Sequence, residues 1–83
     1  MDLRGKSERE EMVTAIREAG CVSMVVDEEE GLRIVVYHLG LGELGAAPSL
    51  ATKCHEEERE ALAEAVELSR SLSAIWFLLL LSR

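Results

Sequence analysis

Residues 21–27 read CVSMVVD and residues 32–39 read LRIVVYHL, with EEEG between them. Both runs are rich in β-branched side chains, and the acidic break ends in Gly31, where a left-handed backbone is commonly needed. This is the pattern of an antiparallel hairpin. A four-residue loop pairs Asp27 with Leu32 and so predicts the register: Val25 opposite Ile34, Ser23 opposite Val36, Cys21 opposite His38. Alternation puts Cys21, Ser23, Val25, Leu32, Ile34, Val36 and His38 on one face. Val22, Met24, Val26, Val35 and Tyr37 take the other, with Arg33 near the tip. Apart from the turn end, neither face is polar. A two-stranded ribbon that is apolar on both sides needs cover on both sides, and one helix cannot supply it.

The flanking segments read as helices. Residues 1–6 read as a flexible arm, and Ser7-Glu8-Arg9-Glu10 is a capping box whose hydroxyl and carboxylate satisfy each other's backbone N–H. Met12, Val13, Ile16 and Ala19 then recur at helical spacing until Gly20, which predicts a first helix over 8–19. Residues 39–49 read as a Gly-rich connector closed by Pro48. A second helix is expected to start near Ser49 or Thr52, with Ala61, Leu62, Ala65, Val66, Ser69, Leu72, Trp76 and Leu79 on one face. From Ala74 to Leu81 every residue is apolar. That run reads as the continuation of the helix, with a third strand as the alternative; leucines and the absence of Gly and Pro favour helix. The predicted fold is α+β in the order α-β-β-α, a single small domain whose last segment, 50–81, is a helix and apolar tail.

A helix of that length, about 45 Å from Thr52 to Leu81, outruns what a short helix and a hairpin can cover. An apolar end in water is a sticky patch. The bare hairpin face and the bare tail call for the same remedy, a second copy of the chain. The expected interface lies on Leu72, Ile75, Trp76, Phe77, Leu79 and Leu80, with the hairpins joined into a larger sheet as an option. Size points the same way. A chain of 83 residues buries only about 60% of its unfolded surface, and with one Trp, one Tyr and one Phe its core must be aliphatic.

Charge excludes whole classes of partner. Sixteen acidic residues against nine basic ones leave a net charge of −7. Phosphate binding needs clustered Lys and Arg, so direct nucleic-acid binding is not expected, and an acidic surface also repels anionic membranes. The charged N-terminal residues do not read as a secretory leader. No apolar run approaches the roughly 20 residues of a membrane span, and two cysteines make no disulfide scaffold. A cytoplasmic protein is expected.

The candidate sites are few. Gly40-Leu41-Gly42-Glu43-Leu44-Gly45 spells G-x-G-x-x-G, the fingerprint of dinucleotide binding, but it follows an antiparallel arm and lies ahead of its helix. It reads as a mobile joint, and no cofactor is expected. Cys21, His38, Cys54 and His55 are the residue types of a zinc site, and the register sets Cys21 beside His38. Adjacent Cys54 and His55 diverge by about 100° on a helix, so Cys21, His38 and Cys54 form the candidate metal or redox set. A Cys21–Cys54 disulfide would be improbable in a reducing cytosol. Tyr37 and His38 are the one plausible acid–base pair, with no nucleophile placed near them, and no enzyme is expected. Asp27-Glu28-Glu29-Glu30 lacks calcium-loop spacing and reads as a solvated turn that discourages edge pairing.

Ile16-Arg17-Glu18-Ala19-Gly20-Cys21-Val22, then Gly31, then Tyr37-His38-Leu39 resemble the back half of a winged-helix domain. There a recognition helix runs through a Gly-x-Val step into the wing, and a dimerisation helix follows. The resemblance covers roughly residues 10–39. Its wing tip is acidic where the family usually carries positive charge, and only a short arm precedes Ser7. The same residues are similar to the opening helix and strands of roadblock-type dimeric scaffold proteins. No residue role is carried over from either. Together the observations predict a small acidic, non-enzymatic protein–protein interaction or regulatory module acting as a homodimer. The alternatives are a zinc- or redox-stabilised module on Cys21, His38 and Cys54, or a degenerate winged-helix-like regulator.

Overall fold

A computed structural model of the chain describes residues 7–46 and 49–82. The arm expected at 1–6 and the Pro48 closure of the connector lie outside the described residues. The elements run α1 (Glu8–Glu18), β1 (Cys21–Glu28), β2 (Gly31–His38), α2 (Leu39–Glu43), β3 (Ser49–Ala51) and α3 (Glu58–Leu81). The α+β class and the α-β-β-α order stand, with a third strand and a short helix added between the hairpin and the last helix.

α1 starts as its sequence dictates. Ser7 Oγ accepts from Glu10 N–H at 3.1 Å, and Glu10 Oε1 accepts from Ser7 N–H at 3.0 Å. Such a cap contributes about 1 kcal/mol. The helix stops at Ala19, and Gly20, at φ 86°, turns the chain into β1. The hairpin register is the one expected, from Cys21 opposite His38 through to Asp27 opposite Leu32. The turn is tighter than expected, because Glu28 and Gly31 also pair and only Glu29 and Glu30 remain outside the strands. Gly31 has the positive φ expected of it and a second task besides. At φ 149° it lies against the backbone of His55, whose carbonyl carbon would be 2.7 Å from any Cβ placed there. A glycine is needed on both counts, the positive φ and the passing backbone.

That backbone belongs to the third strand and its sequel. β3 pairs antiparallel with β2, Ser49 opposite Tyr37 and Ala51 opposite Val35, so the sheet order is β1-β2-β3. Thr52 extends the pairing. Its N–H donates to Ile34 O at 2.9 Å, and its Oγ1 accepts from Ile34 N–H at 3.0 Å. Lys53 and Cys54 then bulge away before Leu32 and His55 exchange two backbone bonds. The helix expected from Ser49 or Thr52 therefore begins only at Glu58. A hydroxyl can cap a helix or close a gap in a sheet, and here the unpaired N–H of a central strand claims it.

α3 lies along β2, and α1 packs beside α3 and on the start of β1. The two helices run with their N-termini together, joined by exposed ion pairs from Arg9 to Glu58 and from Arg59 to Glu8. The core sits between this layer and one face of the sheet. Ile16, Cys21, Ile34 and Val36 meet Ala61, Leu62, Ala65, Val66 and Leu72, with Leu41 closing one end. The expected apolar face of α3 is buried as far as Leu72 and half-buried at Trp76. Beyond that the helix continues into water. Residues 74–81 are helical, so the alternative of a third strand there falls away.

Candidate interaction surface

Apart from Leu39 of α2, the uncovered large apolar residues among those described fall into two groups. On the sheet they are Val22, Met24 and Val25 of β1 and Leu50 of β3; on α3 they are Ile75, Phe77, Leu78, Leu79, Leu80 and Leu81. The reason for the second group is a mismatch of lengths. α3 spans about 36 Å and β2 about 26 Å. The sheet ends at His38, whose ring centroid lies 5.3 Å from that of Trp76. All that follows Trp76 overhangs, and Leu78 and Leu81 are 63% and 67% exposed.

Of the six expected interface residues, Phe77, Leu79 and Leu80 are in this overhang, and Ile75, just before it, is also exposed. Leu72 is not available to a partner. It is 1% exposed and belongs to the chain's own core. Trp76 is half-buried and packs against that core. Leu78 and Leu81, outside the expected set, extend the surface. On a helix end with nothing beneath it every direction is outward.

The open face of the sheet has its own border. Val22, Met24, Val26, Val35 and Tyr37 lie across its middle. At the hairpin tip, the Arg33 guanidinium makes a forked pair with Glu28, Nε to Oε2 at 2.9 Å and Nη2 to Oε1 at 3.2 Å. Its Nη1 donates to Thr52 O at 3.2 Å. The Arg33 hydrogen bonds hold the Glu28 carboxyl below the usual carboxylate range. A second polar knot fixes the start of α3. His55 Nε2 and the Lys53 N–H both meet Glu64 Oε1, at 2.7 and 3.1 Å, and the His55 bond holds that carboxyl low too.

The candidate ligands for a metal do not meet. Cys21 and His38 are register partners at one end of the ribbon. Cys54 lies near the other end, against Glu28 and Arg33. The antiparallel return of the chain along β2 carries it there. No group of three His, Cys, Asp or Glu among the described residues is placed to hold an ion. Both cysteines are free, so a Cys21–Cys54 bridge is not formed. Burial pushes the Cys21 thiol up. At Cys54 loss of solvent and then the Glu28 carboxylate do the same.

His38 is a structural residue. It is 2% exposed, and its Nδ1 accepts from Leu41 N–H at 3.1 Å, capping α2. Tyr37, its neighbour on the strand, projects from the opposite face of the sheet, so the two make no acid–base pair. The glycine motif is explained by the rings of Trp76 and Tyr37. Gly40 and Gly42 lie in or at the end of α2; a Cβ on Gly40 would be 2.7 Å from Trp76 Cε2, and one on Gly42 would be 2.7 Å from Tyr37 Cζ. Two glycines admit two rings, and only Gly45, at φ 83°, serves a turn. The connector expected to be a mobile joint is packed in its first half.

Compared with known proteins, the chain matches no family model, no curated protein and no solved structure. Among the described residues no helix is long and apolar enough to cross a membrane.

Proposed function

We propose that this chain is a small acidic, non-enzymatic protein–protein interaction or regulatory module that acts as a homodimer in the cytoplasm. The observation that carries the reading is the overhanging end of α3. Six of the last seven helical positions there, Ile75 and Phe77–Leu81, hold large apolar side chains in water. Burying one such side chain is worth about 1.5–3 kcal/mol, so a surface of this kind is stabilised by contact with another chain. The engagement of the polar residues supports the non-enzymatic part. His38 caps α2 from within the core, and His55 is tied to Glu64.

Solution mass tests the reading. Light scattering on a sizing column should give twice the mass of the chain at about 100 μM, a concentration at which even micromolar association is complete. A Phe77→Glu/Leu78→Glu variant leaves Trp76 and the core in place, and it should show altered association with an unchanged circular dichroism spectrum. A monomer at every concentration, with no effect of the double substitution on any contact, would remove the homodimer.

A further inference from the structure

β1 is an outer strand of the sheet, and among the described residues nothing pairs with its free side. The hydrogen bonds show which groups it presents there. Leu39 N–H donates to Gly20 O, while the backbone groups of Leu32 and Ile34 on β2 are turned the other way, to His55 and Thr52. Antiparallel alternation then turns Val22, Met24 and Val26 towards β2. It turns the N–H and C=O of Cys21, Ser23 and Val25 outwards. An edge of this kind recognises an extended backbone, whatever its side chains.

Beside that edge lies a groove of about 250 Å³, lined by Val13, Ile16 and Arg17 of α1 and by Cys21, Val22 and Ser23 of β1. Ile16 and Cys21 are buried and give it an apolar floor; Arg17 is exposed in the last turn of α1 and is the one charged residue in the lining. Ser23 and Val25 face the helix layer, opposite the buried Val36 and Ile34, yet both are exposed. Past Cys21, α1 therefore stands off from β1 and leaves the space beside the strand open.

We propose that this groove binds an extended peptide of a partner protein, added antiparallel to β1. Its apolar side chain lies opposite Ser23, and a carboxylate two residues further on lies opposite Cys21 and beside Arg17. The antiparallel direction carries the C-terminal end of the added strand, and with it the carboxylate-bearing residue, towards Arg17. Residues two apart share a face, so the apolar group and the carboxylate enter the same groove. The lining selects the occupant: an apolar floor with one exposed guanidinium beside a strand edge is complementary to a single extended strand carrying an apolar side chain and a carboxylate, which is why the occupant is a peptide. The proposal rests on the interaction-module reading and names the chemistry of the partner.

The test uses the full chain and two N-terminally fluorescein-labelled peptides, Thr-Val-Thr-Val-Thr-Asp-amide and the same peptide ending in Lys. Fluorescence polarisation should show saturable binding of the Asp peptide and at least about tenfold weaker binding of the Lys peptide. Arg17→Glu, an exposed change that leaves the fold intact, should reverse that order. On binding, the amides of Cys21, Ser23 and Val25 should become protected from hydrogen exchange, and those of Val22 and Met24 should change little. Equal binding of the two peptides, an order that survives Arg17→Glu, or no saturation by about 1 mM would overturn the proposal. A peptide that splits a dimer would give the edge to a second copy and overturn it as well. Binding by a monomeric chain would uphold the groove and sink the homodimer; a dimer that ignores both peptides would do the reverse.

Discussion

Gly40→Ala distinguishes a flexible joint from a packed one by the sign of its effect. Gly40 lies inside α2. Replacing a glycine in a helix interior with alanine normally stabilises by about 0.5–1 kcal/mol, because the unfolded chain loses freedom. Here the added Cβ would be 2.7 Å from Trp76 Cε2 and 2.9 Å from Cδ1, about 1 Å inside ordinary contact. The indole cannot yield freely, since His38 is tilted against it. Overpacking of this kind costs about 1–3 kcal/mol, so the net change is centred on a loss of about 1 kcal/mol, within a range of roughly 0–2.5 kcal/mol. For a domain of this size each kcal/mol moves Tm by about 4–8 °C. Thermal melts followed by circular dichroism should therefore show a clear fall, and the fluorescence of the single tryptophan should report its displacement. Trp76→Leu removes the obstructing ring. In that background Gly40→Ala should be neutral or stabilising, and the difference between the two backgrounds measures the contact itself. A higher Tm for Gly40→Ala alone, or an equal penalty with and without Trp76, would refute the reasoning.

The other predictions concern the thiols and the carboxylates. At neutral pH a thiol reagent should modify Cys54 in the native protein, slowly because its thiol is held protonated, and reach buried Cys21 only on unfolding; simultaneous modification of both would contradict the burial of Cys21. Glu28 and Glu64 both titrate below the usual carboxylate range in the folded chain. Their pairs therefore contribute stability that is fully present above the ordinary value of about 4.3 and lost as pH falls through the lower, folded one. Glu64→Gln should flatten the acid limb of a plot of Tm against pH. The effect at neutral pH should be within about 1 kcal/mol, because the pair is partly exposed. An unchanged acid limb would show that the His55 contact does not act on folding.

The hairpin was legible because its information is local. Two β-branched runs and a short turn specify a register, and a slip by one residue would move Ile34 and Val36 out of the core. The first helix was legible for the same reason, its cap lying three residues from its partner. β3 was not. Ser49-Leu50-Ala51 has neither the length nor the composition of a strand, and it becomes one because β2 has a second side to satisfy. Thr52, near which the second helix is expected from sequence to start, is held in the sheet by the Ile34 N–H, which no local pattern reveals. The candidate site divides along the same line. The apolar end of α3 can be read from its residues, but the exclusion of Leu72 and the standing of α1 away from β1 depend on where the sheet lies.

The sequence by itself determined the ribbon, its register, the two flanking helices and the excess of apolar side chains over what one small domain can cover. These follow from propensity, alternation and length, which act between neighbours in the chain. Only the tertiary structure decided the rest. It parted Cys54 from Cys21 and His38, turned a phosphate-like glycine motif into a seat for Trp76 and Tyr37, and left the edge of β1 open beside Arg17. Each of these depends on which distant backbone passes through a given space. Steric exclusion and hydrogen-bond satisfaction set that in three dimensions, and a linear pattern does not record it.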